Sequence, residues 1–215
     1  MSETRLHSLI VNGLTLSRVP LIFMFMGCAV CAQVYASSAL AWTAGAFMFL
    51  SAISDLFDGK LARRWKVVST FGKLADPLMD KIFFIVSFPT LLWLIGVQHE
   101  NRVHQLVMLA FTVLYILRDQ WVTFLRAVAS TYHADVSAMW LGKVRTALSF
   151  PAAGLIYGYL AFHAQLPAAW NEAFLWSVYA MEAFLIGLNV YSCVVYTKAY
   201  LPYMQRAIGT GTSAS

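Results

Sequence analysis

The chain has 215 residues, of which 60% are hydrophobic and only 12% charged, with a formal net charge of +5 and a mean hydropathy of +0.67. Soluble domains carry about 25% charged residues, so this chain could not coat a globule of its own size; a soluble protein, a disordered chain, collagen and a coiled coil are all excluded. The apolar residues run unbroken rather than alternating, which argues against a β-barrel and for a helical membrane protein.

In chain order, residues 1–10 are too polar for a signal-peptide core and are expected to lie on the membrane surface as a short amphipathic helix. Six stretches then reach the roughly 20 apolar residues that a span needs: 11–35, 39–62, 72–96, 103–129, 141–164 and 170–198. Turns are expected at Ser37-Ser38, Gln98-His99-Glu100-Asn101, His133-Ala134-Asp135 and Gln165-Leu166-Pro167. The predicted fold is all-α and integral, with six transmembrane helices preceded by a short N-terminal interfacial helix. Its parts are a juxtamembrane segment (1–10), a six-helix transmembrane domain (11–200) and a cytoplasmic tail (201–215) whose end, GTGTSAS, reads as disordered. No internal repeat supports an inverted-repeat transporter.

Six spans put both termini on one side. That side collects every Lys and Arg of the 15 except Arg102, a bias that makes it cytoplasmic and sets the positive charge against anionic headgroups and phosphates. Cys28 and Cys31 form a C-x-x-C inside an apolar run with no charged neighbour to generate a thiolate, and Cys193 stands alone, so all three read as packing residues. His7, His99, His104, His133 and His163 show no ligand spacing and read as interfacial.

Four of the ten acidic residues, Asp55, Asp58, Asp76 and Asp80, fall toward the cytoplasmic ends of spans two and three. An ionised Asp at a helix centre costs roughly 2.5–3.5 kcal/mol, so something must offset them. Asp55 and Asp58 are about 60° apart around their helix axis, Asp76 and Asp80 about 40°. Each pair projects from one face, and two antiparallel helices can bring the pairs together as an all-oxygen site suited to Mg²⁺ or Mn²⁺. The alternative is a set of interfacial aspartates paired with Arg63, Arg64, Lys73 and Lys81. Between the pairs, Gly59, Ala62 and Gly72 remove side-chain bulk, and Arg63 offers a fork for phosphate oxygens. Taken singly, each glycine would read as a helix-packing device.

The run Asp55-Leu-Phe-Asp58-Gly59-Lys-Leu-Ala62-Arg63, eight residues, then Gly72-Lys-Leu-Ala-Asp76-Pro-Leu-Met-Asp80 resembles the D-x2-D-G-x2-A-R-x8-G-x3-D-x3-D signature of the CDP-alcohol phosphatidyltransferases. Asn12-Gly-Leu-Thr15-Leu-Ser-Arg18 is similar to the N-x2-T-x2-R opening of that family. The resemblance implies that Asp55, Asp58, Asp76 and Asp80 hold two divalent cations against the diphosphate of a CDP-linked lipid, with Asp80 as the base for the acceptor hydroxyl. It further implies a donor pocket from Gly59, Ala62, Arg63 and Gly72, joined by Asn12, Thr15 and Arg18. A bacterial-type inner membrane, a cytoplasmic active site, a homodimer and no nucleic-acid partner are expected on the same ground.

The acceptor is read from the second half. Arg118-Asp119 and Arg126 on span four and Gly142-Lys143-Val-Arg145-Thr146 at the start of span five place four cations near cytoplasmic ends. They suit an anionic acceptor, or form a positive-inside stripe. The stretch resembles the R-E-x5-L-R and G-K-x-K-T runs of bacterial phosphatidylglycerophosphate synthases, with Asp119, Arg145 and Ser149 departing from the usual residues. The expectation is phosphatidyl transfer from CDP-diacylglycerol to sn-glycerol 3-phosphate, with Arg118, Arg126, Lys143 and Arg145 binding the acceptor phosphate. A phosphatidylinositol-phosphate synthase, a cardiolipin synthase of the same fold and, remotely, a cation transporter are the alternatives.

Overall fold

The computed structural model describes residues 3–67, 69–98, 102–134 and 139–209, apart from the side chains of Leu56, Thr70, Lys73 and Leu74. The expected turn positions 99–101 and Asp135, the expected disordered end from 210 onward, and the Lys73 side chain weighed as an ion-pair partner lie outside the described residues. The elements are α1 (Glu3–Val34), α2 (Ser38–Arg64), α3 (Thr70–Gln98), α4 (Arg102–Ser130), α5 (Trp140–Phe162), a 3-10 turn at His163–Gln165, and α6 (Ala168–Ala207). Among the described residues there is no strand. Five helices, all but α5, are long and apolar enough to cross a membrane. The chain is an all-α integral membrane protein.

Two boundaries differ from the expectation. Residues 3–10 form no separate interfacial helix but run unbroken into the first span: no proline stands before Pro20, and Asn12-Gly13 stays within the helix. His7 stacks on Trp65 with centroids 4.3 Å apart, which ties this first stretch to the end of α2. At the other end α6 continues to Ala207 through Pro202, and its 40 residues make about 60 Å of helix, twice a bilayer's apolar thickness.

Three helix ends turn the chain through a left-handed residue that is not glycine: Ala36, Lys66 and His133. After α2 the N–H of Val67 donates to the Ala62 carbonyl (3.0 Å) and that of Lys66 to the Arg63 carbonyl (3.3 Å), a Schellman ending that satisfies carbonyls otherwise left bare. Ser69 then caps α3, its Oγ accepting the Gly72 N–H at 2.9 Å.

The chain divides into two compact units, Met1–Arg102 with Ala153–Leu175 and Val103–Ala152 with Trp176–Ser215. In the first, α1 packs on α2 and α3. The buried stripe of α1 is Val11, Thr15, Arg18, Ile22, Phe25 and Ala29, alternately three and four residues apart, so one seam changes from apolar to polar toward its N-terminal end. The buried positions of α2 run the same way, from Ala41, Ala44 and Met48 to Ser51, Ser54 and Asp58. At the apolar end Tyr157 of α5 donates to the Ala41 carbonyl (2.7 Å) and meets Phe25 edge-on.

In the second unit α4 buries His104, Met108, Phe111, Thr112, Tyr115, Arg118, Val122, Leu125 and Ala129, while α6 buries Val178, Glu182, Leu185, Asn189, Ser192, Tyr196 and Tyr200. Both are helical stripes with polar residues set into them. His104, read as interfacial from the sequence, is instead buried with Nε2 3.0 Å from Glu182 Oε1.

Candidate active site

In the first unit the polar end of the α1 seam carries Arg18 among all four motif aspartates. Its Nη1 lies 2.8 Å from Asp55 Oδ1 and 3.3 Å from Asp80 Oδ1. Its Nη2 donates to Asp58 Oδ2 and lies 3.5 Å from Asp76 Oδ1. The two carboxylate pairs therefore meet, as their helical spacing allows, and the cation they share comes from α1. Thr15, one turn before Arg18, donates to Asp58 Oδ2 at 2.8 Å, and Ser51 donates to the Arg18 carbonyl at 3.2 Å.

The aspartates are not equivalent. The Asp58 side chain is 3% exposed, against 31% for Asp55, 28% for Asp80 and 47% for Asp76. Asp58, with two donors on one oxygen, is the anchored member, and Asp76 is the most open to a ligand. Four carboxylates against one guanidinium leave three negative charges in excess.

The remaining donor-motif residues fall into two groups. Asn12, Ser69 and Gly72 form a joint: Ser69 Oγ donates to Asn12 Oδ1 at 3.1 Å, and a Cβ on Gly72 would stand 3.2 Å from Ser69 Oγ. Gly72 is thus crowded by the turn before α3, while Asn12 of α1 stands at ordinary contact, 3.9 Å. Gly59 differs: among the described residues a Cβ there would meet only the Arg63 guanidinium, at 3.7 Å, and no neighbouring helix. Gly59 and Ala62 are half-buried and Arg63 is exposed beside them, a shelf next to the carboxylates with a cation beside it.

The second unit gathers Arg118 and Arg145, both buried. They share one carboxylate, Asp119, whose Oδ1 lies 3.0 Å from Arg145 Nη2 and 3.9 Å from Arg118 Nη1. Arg118 donates through Nε to Ser192 Oγ at 3.1 Å and also through Nη2, and Arg145 Nη1 donates to Asn189 Oδ1 at 3.2 Å. Each guanidinium lies over an aromatic ring, Arg118 over Tyr196 at 5.0 Å and Arg145 over Tyr115 at 4.2 Å. The other two expected cations are not drawn into this cluster: Lys143 is exposed on the first turn of α5, and Arg126 is half-buried two turns beyond Arg118.

Sequence reasoning missed Ser69, Asn189, Ser192, Tyr115 and Tyr196. The cap position of Ser69 was a usable signal, and so was the three- and four-residue spacing of Asn189, Ser192 and Tyr196 within an apolar run.

A family model for CDP-alcohol phosphatidyltransferases matches residues 8–186, a range that holds the four aspartates with Arg118, Asp119 and Arg145. The chain belongs to this family. Among its relatives, the CDP-diacylglycerol--glycerol-3-phosphate 3-phosphatidyltransferase of Rickettsia prowazekii is 29% identical over 201 residues, 91% of this chain and 99% of the relative. The protein of the same name from Yersinia enterocolitica is 33% identical over 139 residues, 64% of this chain and 70% of the relative. That of Mycoplasma genitalium is 29% identical over 157 residues, 71% of this chain but only 61% of the relative's length. No solved structure matches the chain.

Enzymes of this family are generally dependent on divalent metal. Among the described residues, no three His, Cys, Asp or Glu side chains form a group ready to hold a metal ion; the carboxylate oxygens are turned on Arg18. The donor set nevertheless fits. It is all carboxylate, it converges from two rigid helices, and its three surplus negative charges are what hard cations would neutralise.

Proposed function

We propose that the protein transfers a phosphatidyl group from CDP-diacylglycerol to sn-glycerol 3-phosphate, releasing CMP and phosphatidylglycerophosphate. The convergence of the four motif aspartates from α2 and α3 on one point carries the transfer chemistry. The name shared by the relatives and the surplus positive charge of the Arg118–Arg145 pair support the acceptor.

Asp55, Asp58, Asp76 and Asp80 would hold the metal, Mg²⁺ or Mn²⁺, two ions matching the charge of the four carboxylates. Bound there, the ions supply charge neutralisation of the diphosphate and of the departing CMP. The half-buried shelf at Gly59 and Ala62 admits the cytidine diphosphate close to the backbone, with Arg63 on its oxygens. Thr15 and Arg18 act on the donor side by fixing Asp58 and the carboxylates around it, while Asn12 and Gly72 set the joint between α1 and α3. Asp80 takes the proton from the acceptor hydroxyl as its oxygen bonds to the β-phosphorus, so the base need only act in the transition state. On the acceptor side Arg118 and Arg145 receive the phosphate, with Lys143 and Arg126 adding charge around them. The active site and both termini face the cytoplasm of an inner-membrane-type bilayer, and the enzyme works as a homodimer.

The test is an acceptor panel. Purified enzyme with CDP-diacylglycerol and Mg²⁺ or Mn²⁺ should release CMP with glycerol 3-phosphate. CMP release only with inositol phosphate, or only with phosphatidylglycerol, would move the protein to another acceptor class within the family. Metal flux into sealed vesicles without any CMP release would overturn transfer altogether.

A further inference from the structure

Helix α6 carries Asn189, Ser192 and Tyr196 on one face, all buried. A span surrounded by lipid and apolar neighbours gains nothing from an amide and a hydroxyl at such positions unless they are bonded. They are, and their partners are the two arginines of their own unit. Asn189 donates through Nδ2 to the Leu185 carbonyl at 2.8 Å, which fixes the amide so that Oδ1 faces Arg145. Ser192 Oγ accepts from two nitrogens of Arg118. Tyr196 lies under Arg118, and its hydroxyl accepts the Met139 N–H at 3.0 Å. A Cβ on Gly142 would stand 2.8 Å from that hydroxyl and 3.8 Å from Arg118 Nη2, so the start of α5 closes directly on this face.

The chemistry of the holders is selective. Every contact from α6 to these guanidinia is neutral, and among the described residues Asp119 alone supplies negative charge to the two buried cations. One positive charge is left over. Arg145 Nε–H is also buried with no hydrogen-bond acceptor, which costs free energy unless an oxygen comes to it.

We infer that the Asn189–Ser192–Tyr196 face of α6 is the positioning element of the acceptor site, holding Arg118 and Arg145 through uncharged groups so that their surplus charge is kept for a phosphate monoester. This rests on the reading of that arginine pair as the acceptor-phosphate site. The residues are positioning residues: they act through the guanidinia and need not touch the acceptor.

Steady-state kinetics test it, varying each substrate in turn, with inorganic phosphate as a competing probe. Asn189→Asp keeps the size of the side chain but gives Arg145 a second carboxylate, cancelling the surplus. It should raise the KM for glycerol 3-phosphate, and the inhibition constant of phosphate in parallel, on the order of tenfold, with donor KM and kcat little changed. Ser192→Ala, which removes one oxygen and adds no charge, should move the same two constants in the same direction by a smaller factor; it decides the matter alone if Asn189→Asp fails to fold. Arg145→Met is the reference. If it leaves the acceptor KM unchanged, the acceptor reading itself fails. If it raises that KM while Asn189→Asp and Ser192→Ala do not, the reading stands and the α6 inference is overturned. A rise in donor and acceptor KM alike in the α6 variants also overturns it, since that would mark a general structural role.

Discussion

The two charged clusters of this protein are built on opposite ratios. In the first unit a single guanidinium, Arg18, is surrounded by four carboxylates. In the second a single carboxylate, Asp119, is shared by two guanidinia. Neither is balanced, although both lie on membrane-length helices where unpaired charge is expensive. A protein selecting only for stability would match its charges or replace them with apolar side chains. The surplus in each cluster has the sign opposite to the ligand proposed for it, metal ions in one case and a phosphate in the other. The means of support also differ. The acids are held by a charged partner and are partly open, Asp76 most of all, whereas the arginines are buried and are held by neutral oxygens and aromatic faces besides Asp119. Hard cations exchange with water and need open ligands; a fixed pair of forks for one phosphate gains from being rigid.

The largest expected effect breaks the first cluster. Asp76→Asn removes the most exposed carboxylate and relieves repulsion, so the protein should keep its thermal stability in detergent while CMP release falls by a factor on the order of 10³ or more. Turnover within tenfold of the parent would remove Asp76 from the metal set.

Arg18→Met should act on the fold first. Leaving the buried Asp58 carboxylate without its cation costs about 3–5 kcal/mol, seen as a lowered unfolding temperature in the presence of a chelator. Mn²⁺ should restore more of that loss than it adds to the parent, because ions that bind the folded form stabilise it by mass action. An equal Mn²⁺ effect in both proteins would mean that Arg18 and the metal do not address the same carboxylates.

The glycines sharpen the contrast. Gly142→Ala forces a methyl to 2.8 Å from the Tyr196 hydroxyl and should cost about 1–3 kcal/mol of stability. Gly59→Ala, whose added carbon meets only Arg63 among the described residues, at 3.7 Å, should gain up to about 1 kcal/mol of stability within its helix and raise the donor KM. Calorimetry with donor-varied kinetics separates them, and equal destabilisation by both would return Gly59 to a packing role.

The smallest effect lies between the two aspartate pairs. Lys66 holds a left-handed φ of 54°, which costs an ordinary residue about 1–2 kcal/mol. Lys66→Gly should gain about 0.5–1 kcal/mol after glycine's own entropy loss, read as a small rise in unfolding temperature with activity unchanged.

Much of this was legible in the chain itself. The apolar run lengths gave the helices, because a bilayer imposes a minimum span and internal backbone bonding. The three- and four-residue separations within Asp55–Asp58 and Asp76–Asp80 fixed a common face for each pair, because helical geometry is local. The family followed from the same spacing. What no spacing could give is which partner each side chain meets across helices. Arg18 reads as a donor-pocket residue, Lys143 as a member of the arginine cluster, and His104 as interfacial. Tertiary packing put Arg18 at the centre of the acids, left Lys143 exposed and buried His104 against Glu182. The residues that orient the arginines, Asn189, Ser192 and Tyr196, lie 44 and more positions from Arg145 in the chain. Helix periodicity determines the face on which a residue sits; only the docking of one helix on another decides what that face touches.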